Sequence, residues 1–245
     1  MTPETILFID IESVPATQDF PEGQLGELFK SKYKKEMIDA ETTMAPIHYS
    51  TKLWKEKAAF HAEFGKIVCI SIGRLHKGKF VVKSIASRDE KGILISFADS
   101  IEKSKCVFLC GHNALEFDYR FLFQRYVING LSVPEILNVG MKKPWEVNLL
   151  DTMKMWGGTS WNYKASLDLI AHCLGIPSPK SEMDGSKVAD VYYGSFNVES
   201  GELPFDKEEE ALKVIGNYCN GDVITDYKVW CRLSGIEYTS EIEIA

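Results

Sequence analysis

Asp10 and Glu12 close an apolar run, Thr5-Ile6-Leu7-Phe8-Ile9-Asp10-Ile11-Glu12, with one residue between them. On a β-strand alternate side chains share a face, so the two carboxylates project together, about 6.6 Å apart. Buried carboxylates need a partner, and two side by side repel. Either a cation belongs at this strand end or the strand emerges there into solvent, and the short motif alone does not decide. Two further acids stand among apolar neighbours. Asp118 ends Gly111-His112-Asn113-Ala114-Leu115-Glu116-Phe117-Asp118 and shares a helical face with Phe121 and Leu122. The plainer reading of Asp118 is a partner for the helix dipole. Asp222 is the single charge on the stripe Ala211, Val214, Ile215, Tyr218, Thr225 and Val229, one turn after Tyr218. Gly216, Asn217, Asn220 and Gly221 crowd the same turns and are poor helix formers. A helix break at Gly221 is the alternative, yet local rules broken in one place are where function is expected. Oxygen ligands without His or Cys suit Mg²⁺ or Mn²⁺ rather than Zn²⁺. Two such ions about 4 Å apart activate water and hold both oxygens of a phosphodiester exchange.

The elements needed to position these acids are readable in outline. The first strand is expected to give way to loop at Ser13-Val14-Pro15. Helical patterns cover 24–40, with the basic-aromatic run Phe29-Lys30-Ser31-Lys32-Tyr33-Lys34-Lys35, and 51–64, with Lys52, Lys55 and Lys57. Such runs are more often a solvated face than a nucleic-acid groove, although lysines beside aromatics are what a single-strand channel uses. Residues 20–64 read as an insertion between the first two strands. Strands follow at 65–73 and 79–86, antiparallel across a short connection. A helix at 89–103 leads into a strand at 105–110. Gly111 permits a tight turn, and Asn113 is a candidate N-cap for the next helix. Leu149-Leu150-Asp151 ends a short strand. A helix at 165–174 stops at Gly175 before Pro177. Residues 178–184 form a loop, to whose Lys180 and neighbouring Lys187 no role is assigned. A last long helix spans about 206–233.

With 45% hydrophobic and 26% charged residues, the 245-residue chain is of ordinary globular composition. Nothing resembles a signal peptide or a membrane span. Cys69, Cys106, Cys110, Cys173, Cys219 and Cys231 follow no zinc spacing and read as small buried hydrophobes in a reducing cytoplasm. The net charge of −7 argues against coating nucleic acid with a basic surface. It leaves room for an enzyme that meets phosphate through metal, since four carboxylates and two divalent cations are locally neutral.

Asp-x-Glu on a first strand, Gly-His-Asn-x₃-Phe-Asp in the middle and Tyr-x₃-Asp near the end together resemble the DEDD 3′–5′ exonucleases, in their tyrosine-bearing branch. The surroundings Phe8-Ile9-Asp10-Ile11-Glu12 and Tyr218-Cys219-Asn220-Gly221-Asp222-Val223 resemble stand-alone relatives of the family-B DNA polymerase proofreading domain. The similarity spans roughly residues 4–235, and the 20–64 segment departs from a minimal member. The resemblance implies an α/β, ribonuclease-H-like fold with a mixed five-stranded sheet flanked by helices, in one domain over 1–245. It implies that Asp10, Glu12 and Asp222 hold one of two Mg²⁺ or Mn²⁺ ions, and that Asp10 also reaches the second, which Asp118 holds through water. Tyr218 would orient the attacking water; an ordinary phenol pKa near 10 makes it a poor base at neutral pH. Asn113 and Phe117 would hold the terminal nucleotide, Ser13 its sugar, and His112 would lie in the loop near substrate. The implied activity is release of nucleoside monophosphates from a nucleic-acid 3′ end, DNA more than RNA. RNA 3′ trimming and a non-catalytic nucleic-acid-binding module on the same fold are the alternatives; four acids and a tyrosine speak against the latter.

Overall fold

A computed structural model of the chain describes residues 2–36, 46–143, 146–160, 162–177, 185–194 and 208–245. The first strand, β1 (Ile6–Pro15), is buried on both faces along most of its length, as its apolar run requires. It pairs antiparallel with β2 (Gly65–His76), which pairs antiparallel with β3 (Lys79–Ala86). On its other side β1 runs parallel to β4 (Phe108–Gly111), and β4 parallel to β5 (Leu149–Asp151). A short strand β6 (Ile242–Ile244) joins β3, making six strands in the order β5-β4-β1-β2-β3-β6 rather than five. Its three residues are too few to show an alternating pattern, which is why the sequence reading passed over it.

β1 does not end at Ser13. It continues to Pro15, past a register shift at Glu12/Ser13 where Ile67, not Val68, faces Ser13. Proline is tolerated as the last strand residue because no further ladder donor is needed there. Between β1 and β2 lie α1 (Gln24–Lys32) and α2 (Pro46–Lys57), the latter ending well before residue 64 in a turn of 3-10 helix, Ala58–Phe60. Residues 37–40 of the expected 24–40 helix lie outside the described residues, as do 178–184. Phe29, Leu53, Trp54, Ala58 and Phe64 form a separate aromatic core, tied to the strand end by Trp54 Nε1 donating to Thr17 O.

The two faces of β1 meet different layers. Odd residues Leu7, Ile9 and Ile11 pack against α3 (Glu90–Ser104) and α4 (Asp118–Ile128). Even residues Ile6 and Phe8 pack against the long helix α8 (Glu208–Leu233), where Phe8 meets Tyr227 and Trp230 edge-on. Asp10 and Glu12 continue that even row, so alternation aims both acids at α8. α8 runs unbroken through Gly221. It lies close to the sheet because a Cβ on Gly216 would stand 2.5 Å from Ser84 Oγ, and one on Gly73 would stand 2.7 Å from Val223. The poor helix formers of this stretch thus include one that sets the helix-to-sheet distance. Smaller helices α5 (Thr152–Gly157), α6 (Leu167–Cys173) and α7 (Val188–Tyr192) cover the outer side of α8. No helix among the described residues is long and apolar enough to cross a membrane.

Candidate active site

Three elements bring the acids together. β1 supplies Asp10 and Glu12, whose ligand oxygens lie within 4.8 Å of one another and of Cys219 Sγ. α4 begins at Asp118, whose Oδ1 accepts the backbone N–H of Ile11 at 3.2 Å, between the two β1 acids. Asp118 is thus buried against β1 as well as placed at a helix N-terminus. α8 supplies Asp222, which accepts a hydrogen bond from the Tyr218 hydroxyl one turn earlier.

Electrostatics show how poorly these acids are matched by partners. Burial, then the charges of Glu12, Asp222 and Asp118, hold Asp10 well above the usual carboxylate range. Burial and Asp222 do the same to Glu12. Burial raises Asp118 to about 7 against the hydrogen bonds it accepts, and raises Asp222 to about 6 against its bond from Tyr218. Burial and then Asp222 raise the Tyr218 phenol, which stays protonated at neutral pH. Glu12 is only 9% exposed, and no hydrogen bond reaches its carboxylate from another described residue. Among the described residues no Lys or Arg pairs with any of the four acids. Acids gathered with few donors and no described protein cation could hold a metal ion, and Asp10, Glu12 and Cys219 stand close enough together to do so.

The loop after β4 differs from its sequence reading. Helix α4 starts at Asp118, so Asn113 is not its N-cap; Asn113 takes a left-handed φ of 58° and its carbonyl accepts from Glu116 and Phe117 within a turn. Asparagine tolerates that conformation better than most side chains. Gly111 is needed for closeness rather than for a turn, because a Cβ there would stand 2.7 Å from Ala114. His112 spends both ring nitrogens inside the protein, on Thr152 Oγ1 and on Ala165 O, each at 2.9 Å. Ser13 donates its hydroxyl to Ala59 O at 2.8 Å, linking β1 to the inserted segment.

Some participants escaped the sequence reading. Asp151 ends β5, caps α5 and accepts four backbone N–H groups, from Asn113, Leu115, Met153 and Lys154. Asp226, one turn beyond Asp222, bonds to the Thr152 hydroxyl that also meets His112. Phe60 is 57% exposed and meets Phe117, the neighbour of Asp118, with ring centroids 6.2 Å apart. A cleft of about 390 Å³ opens next to Ser13, the neighbour of Glu12, and is lined also by Lys55, Glu56, Phe60, Gly185 and Asp190. A Cβ on Gly185 would lie 3.5 Å from the Tyr218 hydroxyl, so this cleft adjoins the tyrosine too. The cysteines are mixed: Cys69, Cys110, Cys219 and Cys231 are buried as expected, whereas Cys173 is exposed.

A sequence model of the family described as "Predicted 3'-5' exonuclease related to the exonuclease domain of PolB" matches residues 59–242. That span includes Asp118, Tyr218 and Asp222 but begins after Asp10 and Glu12. Among solved structures, the chain is similar to the family B DNA polymerase from the hyperthermophilic archaeon Pyrobaculum calidifontis. The likeness has a TM-score of 0.55 at 14% identity and covers 93% of this chain. It covers 24% of the polymerase, so the chain spans about a quarter of that protein's length. No curated protein matches the sequence.

Proposed function

This chain belongs to the family of predicted 3′–5′ exonucleases related to the exonuclease domain of PolB, and from that premise we propose that it hydrolyses nucleic acid from the 3′ end. The substrate we assign is single-stranded DNA, and the branch is the tyrosine-bearing one. One observation carries the reading: four carboxylates from three elements, Glu12 and Asp118 buried and Asp10 and Asp222 half-buried, raise one another without a described protein cation to neutralise them.

Asp10, Glu12, Asp118 and Asp222 would hold two Mg²⁺ or Mn²⁺ ions. When bound, such ions supply an activated water and neutralise charge on the phosphodiester oxygens. The rest falls to the chain. The Tyr218 hydroxyl, held by Asp222, orients the attacking water without taking its proton, because the raised phenol is no base at neutral pH. Phe117 and the exposed Phe60 offer aromatic faces on which the last bases stack. The cleft past Ser13 and Gly185 is the path for the strand, with Lys55 on its wall. Asn113 contacts the terminal nucleotide, and Ser13 lies beside its sugar. His112 serves by holding the loop, its nitrogens being engaged. The whole chain then acts as one domain, with 20–64 as an insertion that walls the cleft.

The test uses oligonucleotides labelled at either end, as DNA and RNA, with Mg²⁺ or Mn²⁺. Wild-type protein is expected to release mononucleotides from 3′-labelled single-stranded DNA. Asp10→Ala or Asp222→Ala lowers that rate by roughly a thousandfold or more, the loss of several kcal/mol of charge stabilisation. Either variant digesting at the wild-type rate would sink the assignment. Faster release from RNA than from DNA would move the substrate to RNA.

A further inference from the structure

Cys219 lies within this corner, and the hydrolysis proposed above makes no use of it. Its buried thiol donates to Asp10 Oδ2 at 3.2 Å and to the Asp10 carbonyl at 3.4 Å. A helix turn places it there: Cys219 follows Tyr218 on α8 and points at the row that Asp10 and Glu12 continue. Its sulfur and one oxygen from each acid all fall within 4.8 Å of one another. In a tetrahedral zinc site the ordinary metal–sulfur and metal–oxygen lengths put sulfur and oxygen about 3.6 Å apart. The Cys219 sulfur and Asp10 Oδ2, 3.2 Å apart, are already near that spacing, and the Glu12 oxygen needs to move by no more than about 1.2 Å, within reach of a side-chain adjustment. A second observation bears on the same point. Glu12 is nine-tenths buried, directed into the trio, and accepts no hydrogen bond from another described residue. An anion so placed beside a thiol and a second carboxylate is a ligand set of mixed hardness.

We propose that Asp10, Glu12 and Cys219 form a binding site for one thiophilic divalent cation, Zn²⁺ or Cd²⁺, at the corner where the hard ions of the nuclease reaction would sit. The sulfur ligand is what separates the two classes of ion, since thiolate selects soft metals and carboxylate serves both. On binding, the metal–sulfur bond forms as the S–H bond breaks, and the proton leaves to solvent; a coordinating thiol is deprotonated outright. The fourth position stays open to water. Such an ion would displace the hard ion from Asp10 and Glu12 and so act as an inhibitor; this consequence, unlike the binding itself, rests on the nuclease reading.

The experiment titrates the full chain, stripped of metal, with Cd²⁺ and follows the ultraviolet thiolate-to-cadmium charge-transfer band. Wild-type protein is expected to show a band saturating at one ion per chain, above the background that exposed Cys173 gives to every variant. Cys219→Ser removes it, Asp10→Asn weakens the affinity at least tenfold, and Cys69→Ser, at the neighbouring thiol, keeps it. A wild-type titration without the band, or a Cys219→Ser protein with the same band and affinity, overturns the proposal. The absorbance reads binding without hydrolysis. A Cys219-dependent band in a protein that digests nothing fails the nuclease reading alone, and active protein without the band fails this proposal alone.

Discussion

Asp222 and Asp226 stand one turn apart on α8, and the acids gathered around each are held differently. Asp151 and Asp226 sit at the end of β5, and Asp151 is saturated: four backbone N–H groups converge on it. Asp226 shares a hydrogen bond with the Thr152 hydroxyl through Oδ1, while its Oδ2 is buried without a partner. Asp10, Glu12, Asp118 and Asp222 meet at the end of β1, where Asp118 takes the Ile11 N–H, Asp10 the Cys219 thiol and Asp222 the Tyr218 hydroxyl, and Glu12 takes none from another described residue. Both groups are acidic and largely withdrawn from solvent, so neither property marks a site. What differs is the crowding of charge: Asp10 is raised by Glu12, Asp222 and Asp118 together, and Glu12 accepts no hydrogen bond from another described residue. A folded chain satisfies most of its structural carboxylates from within, so four acids gathered with few donors are where a ligand is to be sought.

The contrast is broken most severely by removing an acid that the protein has satisfied. Asp151→Ala strands four backbone donors, each costing about 1–3 kcal/mol when buried and unpaired. A loss of about 3 kcal/mol or more is expected in urea unfolding, allowing for water entering the gap. Asp10→Asn should leave the metal-free protein as stable as wild type or more stable, because it removes charge repulsion and no donor loses its acceptor except the Cys219 thiol. If both variants lost stability equally, the distinction between the groups would be empty.

Acidity provides a milder and reversible probe. Asp118 at about 7 and Asp222 at about 6 are raised above the ordinary carboxylate value near 4. A raised group binds its proton more tightly in the folded state, so its contribution to stability is complete below about pH 4. It is lost as pH climbs through the folded values. Metal-free protein should therefore melt at progressively lower temperature between about pH 4 and 7. Mg²⁺ or Mn²⁺, binding only the folded state, should restore about 2.7 kcal/mol at a hundredfold excess over Kd, chiefly at the upper end of that range. Melting curves in chelator and in divalent ion, across pH, make the measurement. A flat profile in chelator, or a metal shift that shrinks as pH rises, contradicts the account of the β1 corner.

How much of this could be read along the chain follows from where each signal lives. Asp10, Glu12, Asp118 and Asp222 each violate a local pattern, an acid where periodicity calls for an apolar residue, and a local violation is visible in one dimension. That the three segments share one site was legible only through the resemblance, because alternation on β1 and the turn on α8 fix a facing direction within each element and not which elements meet. Asp151 violates nothing. Its partners at 113 and 115 are 38 and 36 residues away, so no window of sequence contains both ends of those bonds. Asn113 was read as a helix cap because its type suits one; that its φ is positive and the helix starts five residues later depends on the anchor at Asp151. The stripe holding Asp222 hid Asp226 by the same limit. α8 is covered on several sides, by the sheet and by three helices, and a single-face reading counts only one. Nothing local sets Phe60 apart within the inserted segment; its exposure beside Phe117 is a fact of tertiary placement.

The smallest predicted effect is the sharpest use of the comparison, because it contrasts two aspartates one turn apart. His112 Nε2 must carry a proton, since Ala165 O can only accept, and Thr152 has a single hydroxyl hydrogen to share between His112 Nδ1 and Asp226. All three bonds form together only when one extra proton is held by the pair, either on His112 Nδ1 or on Asp226. Burial lowers the His112 pKa and raises that of Asp226 to about 7, which favours the second arrangement. Asp226→Asn copies it: the amide N–H donates to Thr152 Oγ1, and the threonine hydroxyl donates to a neutral His112. Stability should change by less than about 1 kcal/mol, against roughly 2 kcal/mol or more for Asp226→Ala, which leaves Thr152 without that partner. Asp226→Asn should also release nucleotides within a few-fold of the wild-type rate, while Asp222→Asn, equally conservative and four residues earlier, is expected to be inactive. Equal loss of activity in the two asparagine variants would mean that Asp226 belongs to the cation site, and the line drawn between the two groups would have to move.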